Sequence, residues 1–280
     1  MRKIALVSII TIILSGCSPT SMNTSPIPSQ SNLTPTEKPS QSSTAQQNTA
    51  TLYFVSDTGN SFRLFSESHD LKISTGDRAS DAVSALLSGT QPKDSDYVNL
   101  WPNDSRLNGL TVTNGFATVD LHFEQLNVGA ETELRAIEQI LWTLKANNPE
   151  ITQVEFLRDG NIVESFAGHV DTLEVFQIDE GYQSLATVDL DLDEGQVISS
   201  GQLVTGLACT FEANVPWELF QNGQLVNSGA QTAQQACPAR SKYSIDLGPL
   251  KPGSYLLRVW ESSMEDGSLI NEDTKNFVVK

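Results

Sequence analysis

Alternating apolar and polar positions mark the start of the folded part of the chain. Thr51-Leu52-Tyr53-Phe54-Val55 and Phe62-Arg63-Leu64-Phe65 flank Asp57-Thr58-Gly59-Asn60, which predicts two strands around a turn. The period then changes. Ala79, Ala82, Val83, Leu86 and Leu87 fall on one helical stripe over 77–87, and Gly89 ends it. Strands at 110–112 and 116–121 surround Asn114-Gly115, a dipeptide suited to a tight hairpin because both turn positions take φ > 0. A second stripe, Leu134, Ile137, Ile140, Leu141 and Leu144, predicts a helix over 131–146 that stops at Asn147-Asn148-Pro149. A further hairpin is read across Asp159-Gly160, from Val154–Arg158 to Asn161–Phe166. The order β-β-α-β-β-α-β-β is an α+β layout.

Beyond residue 184 no helical stripe is found. Short alternating segments recur at 186–192, 202–207, 216–221, 224–228, 243–247, 255–260 and 274–279, separated by Asn222-Gly223, Lys251-Pro252-Gly253 and Asp266-Gly267. About seven short strands with turns between them predict an all-β antiparallel sandwich.

Several motifs of the first block resemble a known family. The Leu52-Tyr53-Phe54 strand, the helix end Ala85–Gly89, the Asn114–Leu121 hairpin and Val154–Gly160 are similar to the GerMN domain of bacterial sporulation and spore-germination proteins. At Gly89-Thr90-Gln91-Pro92 the chain departs from the Gly-Pro more usual there. In the second block, Thr210–Ala213, Gly253–Tyr255, Val259–Ser262 and Glu265–Ser268 resemble the immunoglobulin-like domain of bacterial spore-germination proteins. The resemblance implies two helices on an antiparallel or mixed sheet over 51–178, then a β-sandwich over 184–280. It also implies a link to envelope, sporulation or germination processes, with peptidoglycan or an envelope protein as partner.

The first fifty residues set the compartment. Arg2 and Lys3 precede an apolar run from Ile4 to Leu14, and Leu14-Ser15-Gly16-Cys17 follows. The run is too short to span a bilayer, for which about 20 apolar residues are needed, and has the form of a secretory signal. With cysteine after Leu-Ser-Gly it resembles a bacterial lipoprotein signal, so residues 1–16 are expected to be removed and Cys17 diacylated, an anchor of more than one chain. The alternative is an ordinary signal with an incidental cysteine. Between 18 and 50, 26 of 33 residues are Ser, Thr, Pro, Asn or Gln. Such a segment buries too little apolar surface to offset its ordering entropy. Residues 17–50 are therefore read as a lipidated cysteine and linker, and the protein as extracytoplasmic and membrane-anchored.

Charge narrows the partners. The chain has 280 residues and a formal net charge of −17. The acid excess is spread over both blocks, with eight basic against 19 acidic residues in 51–178 and six against 14 in 179–280. Nucleic acid is excluded as a partner, since duplex affinity rests on Lys and Arg. The lipid at Cys17, rather than charge, is expected to reach the membrane.

Candidate chemistry is sparse. Cys209 and Cys237 are expected to form a disulfide in an oxidising compartment, with two buried thiols as the alternative. The three histidines show no i, i+4 ligand spacing and Gly-x-Ser-x-Gly is absent. Asp189-Leu190-Asp191-Leu192-Asp193 lacks the glycine and glutamate of a calcium loop and reads as a half-buried strand with a wet acidic face. No metal, cofactor or catalytic residue is assigned. Trp101, beside Pro102 in a loop, is read as an exposed binding aromatic. Glu212, Glu261 and Asp266 lie in the family-like motifs and either line a binding surface or accept turn N–H bonds. Phe211 and Trp260 are read as sandwich core. The expectation is a non-catalytic binding or scaffold lipoprotein, with a cell-wall hydrolase or its accessory factor as the alternative.

Overall fold

A hairpin of β1 (Thr49–Asp57) and β2 (Phe62–Asp70) leads into helix α1 (Arg78–Leu87). The computed structural model describes residues 49–59, 61–71, 75–179, 181 and 183–280; the expected signal segment, Cys17 and most of the linker lie outside these described residues. Strand β1 begins two residues inside the segment read as linker, and Ala50 already faces the core. Helix α1 starts where Asp77 accepts from the Ala79 N–H (3.1 Å), satisfying an otherwise orphaned donor. It buries the expected stripe: Ala79, Ala82, Val83, Leu86 and Leu87.

Strands β3 (Arg106–Thr113) and β4 (Phe116–His122) form the Asn-Gly hairpin, with φ of 51° at Asn114 and 80° at Gly115. Helix α2 (Ala130–Asn147) then crosses over, so that β5 (Gln153–Arg158) lies parallel to β4 in the mixed sheet β3-β4-β5-β6, where β6 is Phe176–Gln177.

Polar residues of α2 finish what the strands leave open. Gln139 donates to the Tyr53 carbonyl (3.0 Å), Thr143 Oγ1 accepts from the Tyr53 N–H (3.2 Å), and Asn147 exchanges bonds with both backbone groups of Thr51. One helical face, at i, i+4 and i+8, thereby serves as a neighbouring strand for β1.

The hairpin read at 154–166 does not form beyond its first strand. Only an isolated bridge pairs Arg158 with Asn161, and β6 takes the place beside β5. The cause is Glu133, fully buried in the first turn of α2. Its carboxylate accepts from the backbone N–H groups of Phe166, Ala167, His169 and Val170 at 2.7–3.1 Å and from Ser165 Oγ at 2.8 Å. Residues 165–170 wrap that carboxylate instead of extending the sheet. Burial alone would raise the Glu133 carboxyl; the donated bonds outweigh it and hold it below the ordinary carboxylate range.

The second block folds as two sheets. Strands β7 (Val188–Leu190), β8 (Gln196–Ile198), β9 (Val204–Ala208), β10 (Asn214–Gln221), β11 (Gln224–Thr232), β12 (Ser241–Ile245), β13 (Gly253–Ser262) and β14 (Leu269–Val279) form the orders β11-β10-β13-β14-β8 and β12-β9-β7. The short β8, which pairs parallel to β14, was not expected from the sequence. Alternate residues fill the space between the sheets, among them Val215, Trp217 and Leu219 on β10 and Tyr255, Leu257 and Val259 on β13. By the same period Leu256, Arg258 and Trp260 face outward. Trp260 is therefore not core as expected but half-buried, its ring 5.8 Å from the Arg258 guanidinium. All described residues fall within one compact unit.

Candidate binding site

Charged residues at inward positions of β14 build the seam between the two blocks. Asp273, Lys275, Phe277 and Val279 share one face, and all four are buried. The Lys275 ammonium reaches Asp94 Oδ2 (2.6 Å), Asp273 Oδ1 (2.9 Å) and the Tyr97 hydroxyl. Tyr97 donates to Asp273 Oδ1 (2.9 Å), whose second oxygen accepts from the Leu190 N–H (2.7 Å). Glu67 holds the loop that carries Asp94, accepting from the Lys93 and Asp94 N–H groups (each 2.8 Å at the nearer oxygen) and bonding His69 at 2.8 Å.

Burial opposes the charge on Lys275, yet the carboxylates of Asp273 and Asp94 hold it well above its ordinary range. Burial also pushes the Asp273 carboxyl up, against the pull of Lys275. A second seam contact joins Asp189 to Arg240 (3.1 Å) and to Ser66 Oγ (3.0 Å). Asp189 is buried, not on the wet acidic face expected of 189–193, and burial pushes its carboxyl up to about 6. Lys93 meets Asp193 at 2.8 Å nearer the surface. These side chains hold the blocks together and were missed in the sequence. The available signal was the charge at 273 and 275 in phase with Phe277 and Val279.

Trp101, expected to be exposed, is buried. Its Nε1 donates to the Ala136 carbonyl (2.9 Å), and its ring packs edge-on to Phe123 and Phe166 at 5.5 and 6.2 Å. Its apolar bulk gains more in the core than beside Pro102 in the loop, and Ala136 satisfies its one donor. Asp266 is exposed at the β13–β14 turn and accepts from the Ser268 N–H (3.0 Å) and Oγ (2.7 Å). Glu261 accepts from Asn271 Nδ2 (2.9 Å). Among the described residues no hydrogen bond or ion pair joins Trp101, Glu212, Glu261 and Asp266 to one another.

Glu212 lies in a single 3₁₀-like turn, Phe211–Ala213, between β9 and β10. Both Glu212 and Ala213 are left-handed, with φ of 55° and 59°. Two consecutive non-glycine residues in this region cost about 1–3 kcal/mol each and persist only where the surroundings fix them. Here they do. Ala213 and Cys237 donate to the Thr210 carbonyl (each 3.2 Å), Ala233 donates to the Ala213 carbonyl (2.8 Å), and Cys209 is bonded to Cys237. With Ala213 buried below it, the turn holds Phe211 outward at 54% exposure. Phe211, expected in the core, is thus an aromatic held in solvent beside a carboxylate.

An open cleft of about 590 Å³ lies along the seam, lined by Tyr53, Trp142, Lys145, Asp179, Leu207 and Arg240 among others. Its cations are engaged: Lys145 with the Pro149 and Ile151 carbonyls, Arg240 with Asp189 and the Ala186 carbonyl. Burial, and then the charge of Asp189, push the Tyr53 hydroxyl up to about 12, so it stays protonated near neutral pH.

Comparison with known proteins follows this two-block organisation. Residues 51–164 match the family of sporulation and spore germination. Residues 193–268 match the immunoglobulin-like domain of bacterial spore germination. No curated protein matches the chain. Among solved structures, a candidate lipoprotein from Clostridium perfringens is similar over 46% of this chain and 86% of its own, at 24% identity and a TM-score of 0.33. The first GerMN domain of the sporulation protein GerM from Bacillus subtilis is similar over 45% and 93%, at 20% identity and 0.37. The tandem GerMN domains of that protein are similar over 71% of this chain and 61% of theirs, at 15% identity and 0.41. By the two family matches, residues 51–164 carry a GerMN-type domain of sporulation and spore germination, and residues 193–268 an immunoglobulin-like domain of bacterial spore germination.

Proposed function

We propose that the protein is a lipid-anchored, extracytoplasmic, non-catalytic binding module that serves a sporulation- or germination-related process at the cell envelope. Cys17, behind Leu14-Ser15-Gly16, carries the anchor, and the polar segment that precedes β1 sets the domains off from the bilayer. Among the described residues no helix is long and apolar enough to cross a membrane. The observation that carries the binding role is Phe211, 54% exposed on a turn whose two left-handed residues are fixed by backbone bonds and the Cys209–Cys237 bridge. An aromatic held in water beside Glu212 is disposed to enter a partner's pocket. The buried charges of the seam are consumed in joining the domains, which favours a rigid display over catalysis.

The partner is peptidoglycan or an envelope protein. The full chain, immobilised, is expected to retain one such component from an envelope extract, and Phe211→Ala to lose it at least tenfold, about 1.4 kcal/mol. Equal retention by Phe211→Ala, or a clear lysis band of the wild type on a peptidoglycan zymogram, would overturn the proposal.

A further inference from the structure

Strand β11 is the outermost strand of the five-stranded sheet and, among the described residues, pairs with β10 alone. Every residue in it except Gln231 is exposed. Trp217, on the inner side of β10, spreads beneath it, so close that a Cβ on Gly229 would lie 2.9 Å from the indole.

Edge strands invite pairing, and the other edges of this fold carry devices against it. The outer edge of β1 is taken by Gln139, Thr143 and Asn147 and by Val98. The edge of β2 is taken by Ser184 and Ala186. Strands β6, β7 and β8 are two or three residues long. Strand β3 has Arg106 and a bulge between Leu107 and Gly109, and β12 has Lys242. In β11 only Val226 interrupts the pairing, and Asn227–Thr232 runs in unbroken register with Asn214–Leu219. The strand has no proline and no charge. Between Glu218 and Arg240 there is no Asp, Glu, Lys, Arg or His at all, in a chain of net charge −17.

The direction of its backbone groups follows from one bond. Ala233 donates to the Ala213 carbonyl (2.8 Å), so in the antiparallel alternation Gln231, Gly229 and Asn227 exchange bonds with β10. The N–H and C=O groups of Ser228, Ala230 and Thr232 therefore point away from the sheet, and of these the Ser228 N–H is met by the neighbouring Asn227 Oδ1 (2.9 Å), an exposed side chain that a pairing strand would displace.

We infer that β11 is a self-association edge, at which two copies of this chain pair antiparallel across a two-fold axis centred on Ala230. Ser228 of each copy then faces Thr232 of the other and Ala230 faces its counterpart, which sets small side chains opposite one another. The charge pattern favours a second copy over a charged peptide. Strongly acidic chains repel except where their surfaces are neutral, and β11 offers no charge to select an ionic partner.

The test is sedimentation equilibrium of the full chain carrying Cys17→Ser, which removes the lipid and the third thiol. The expected species is a dimer of twice the 30.5 kDa chain mass. Raising salt from about 0.05 to about 0.5 M is expected to tighten it, because screening relieves repulsion between acidic bodies. Ala230→Pro removes an outward N–H without breaking a bond to β10, and Ala230→Glu places like charges across the axis. Each is expected to weaken the dimer at least tenfold with unchanged circular dichroism and, at concentrations low enough to leave every variant monomeric, unchanged melting. A monomer up to about 100 µM, or a dimer indifferent to both substitutions, would overturn the inference.

Discussion

The Lys275 ammonium lies 2.6 Å from the Asp94 carboxylate, so the last strand of the second domain is tied to a loop of the first across 181 residues of sequence. Asp273 and Tyr97 complete the shell, and the group is closed to solvent. Removing the cation strands two buried carboxylates. Lys275→Met is expected to cost about 3–5 kcal/mol of unfolding free energy, since breaking one side of a buried pair leaves the other uncompensated. A double-mutant cycle with Asp94→Asn, by urea denaturation, is expected to give a coupling of at least about 1 kcal/mol. Additive effects would show that the contact does not join the domains energetically.

Glu133 makes a prediction of definite sign. Its carboxyl is held below the ordinary value of 4.5, so it contributes stability above that pH and loses it as pH falls through the depressed value. Glu133→Gln is expected to lower stability at pH 7 by about 2–4 kcal/mol, since charge-assisted bonds are worth about 1.5–3 kcal/mol each and some survive. The deficit is expected to shrink below pH 4.5, where wild type also protonates; thermal melts from pH 3 to pH 7 read both.

Asp189 has the opposite sign. Burial raises its carboxyl from 3.8 to about 6, so the folded state binds a proton that the unfolded state releases between those values. Its contribution to stability falls as pH rises from 3.8 to 6. Asp189→Asn is expected to remove that downward slope from the melting profile, and an unchanged slope in the variant would assign it elsewhere.

The Cys209–Cys237 bridge closes a segment of 28 residues. Loop entropy assigns such a bridge about 3–4 kcal/mol. Cys209→Ser with Cys237→Ser is expected to lower the urea midpoint accordingly, and to loosen the Phe211 turn, read as faster amide exchange at Ala213 and Ala233.

Local physics made much of the fold legible. The apolar stripes of α1 and α2 bury the residues their spacing selects, and Asn114-Gly115 turns as its φ preferences require. What stayed hidden depends on partners distant in sequence. Nothing near Glu133 indicates that residues 165–170 will wrap it, and the Gln139, Thr143 and Asn147 face looks solvated until β1 lies against it. Trp101 sits in a loop by its neighbours and in the core by its packing. Phe211 points outward because of the backbone angles at Glu212 and Ala213, which their side chains do not announce.

The central claim is that the two domains act as one rigid display unit, and differential scanning calorimetry of the full chain tests it most directly. The account predicts a single transition in wild type, with calorimetric and van't Hoff enthalpies equal, that splits in two in Lys275→Met. Two separated transitions in wild type would contradict it.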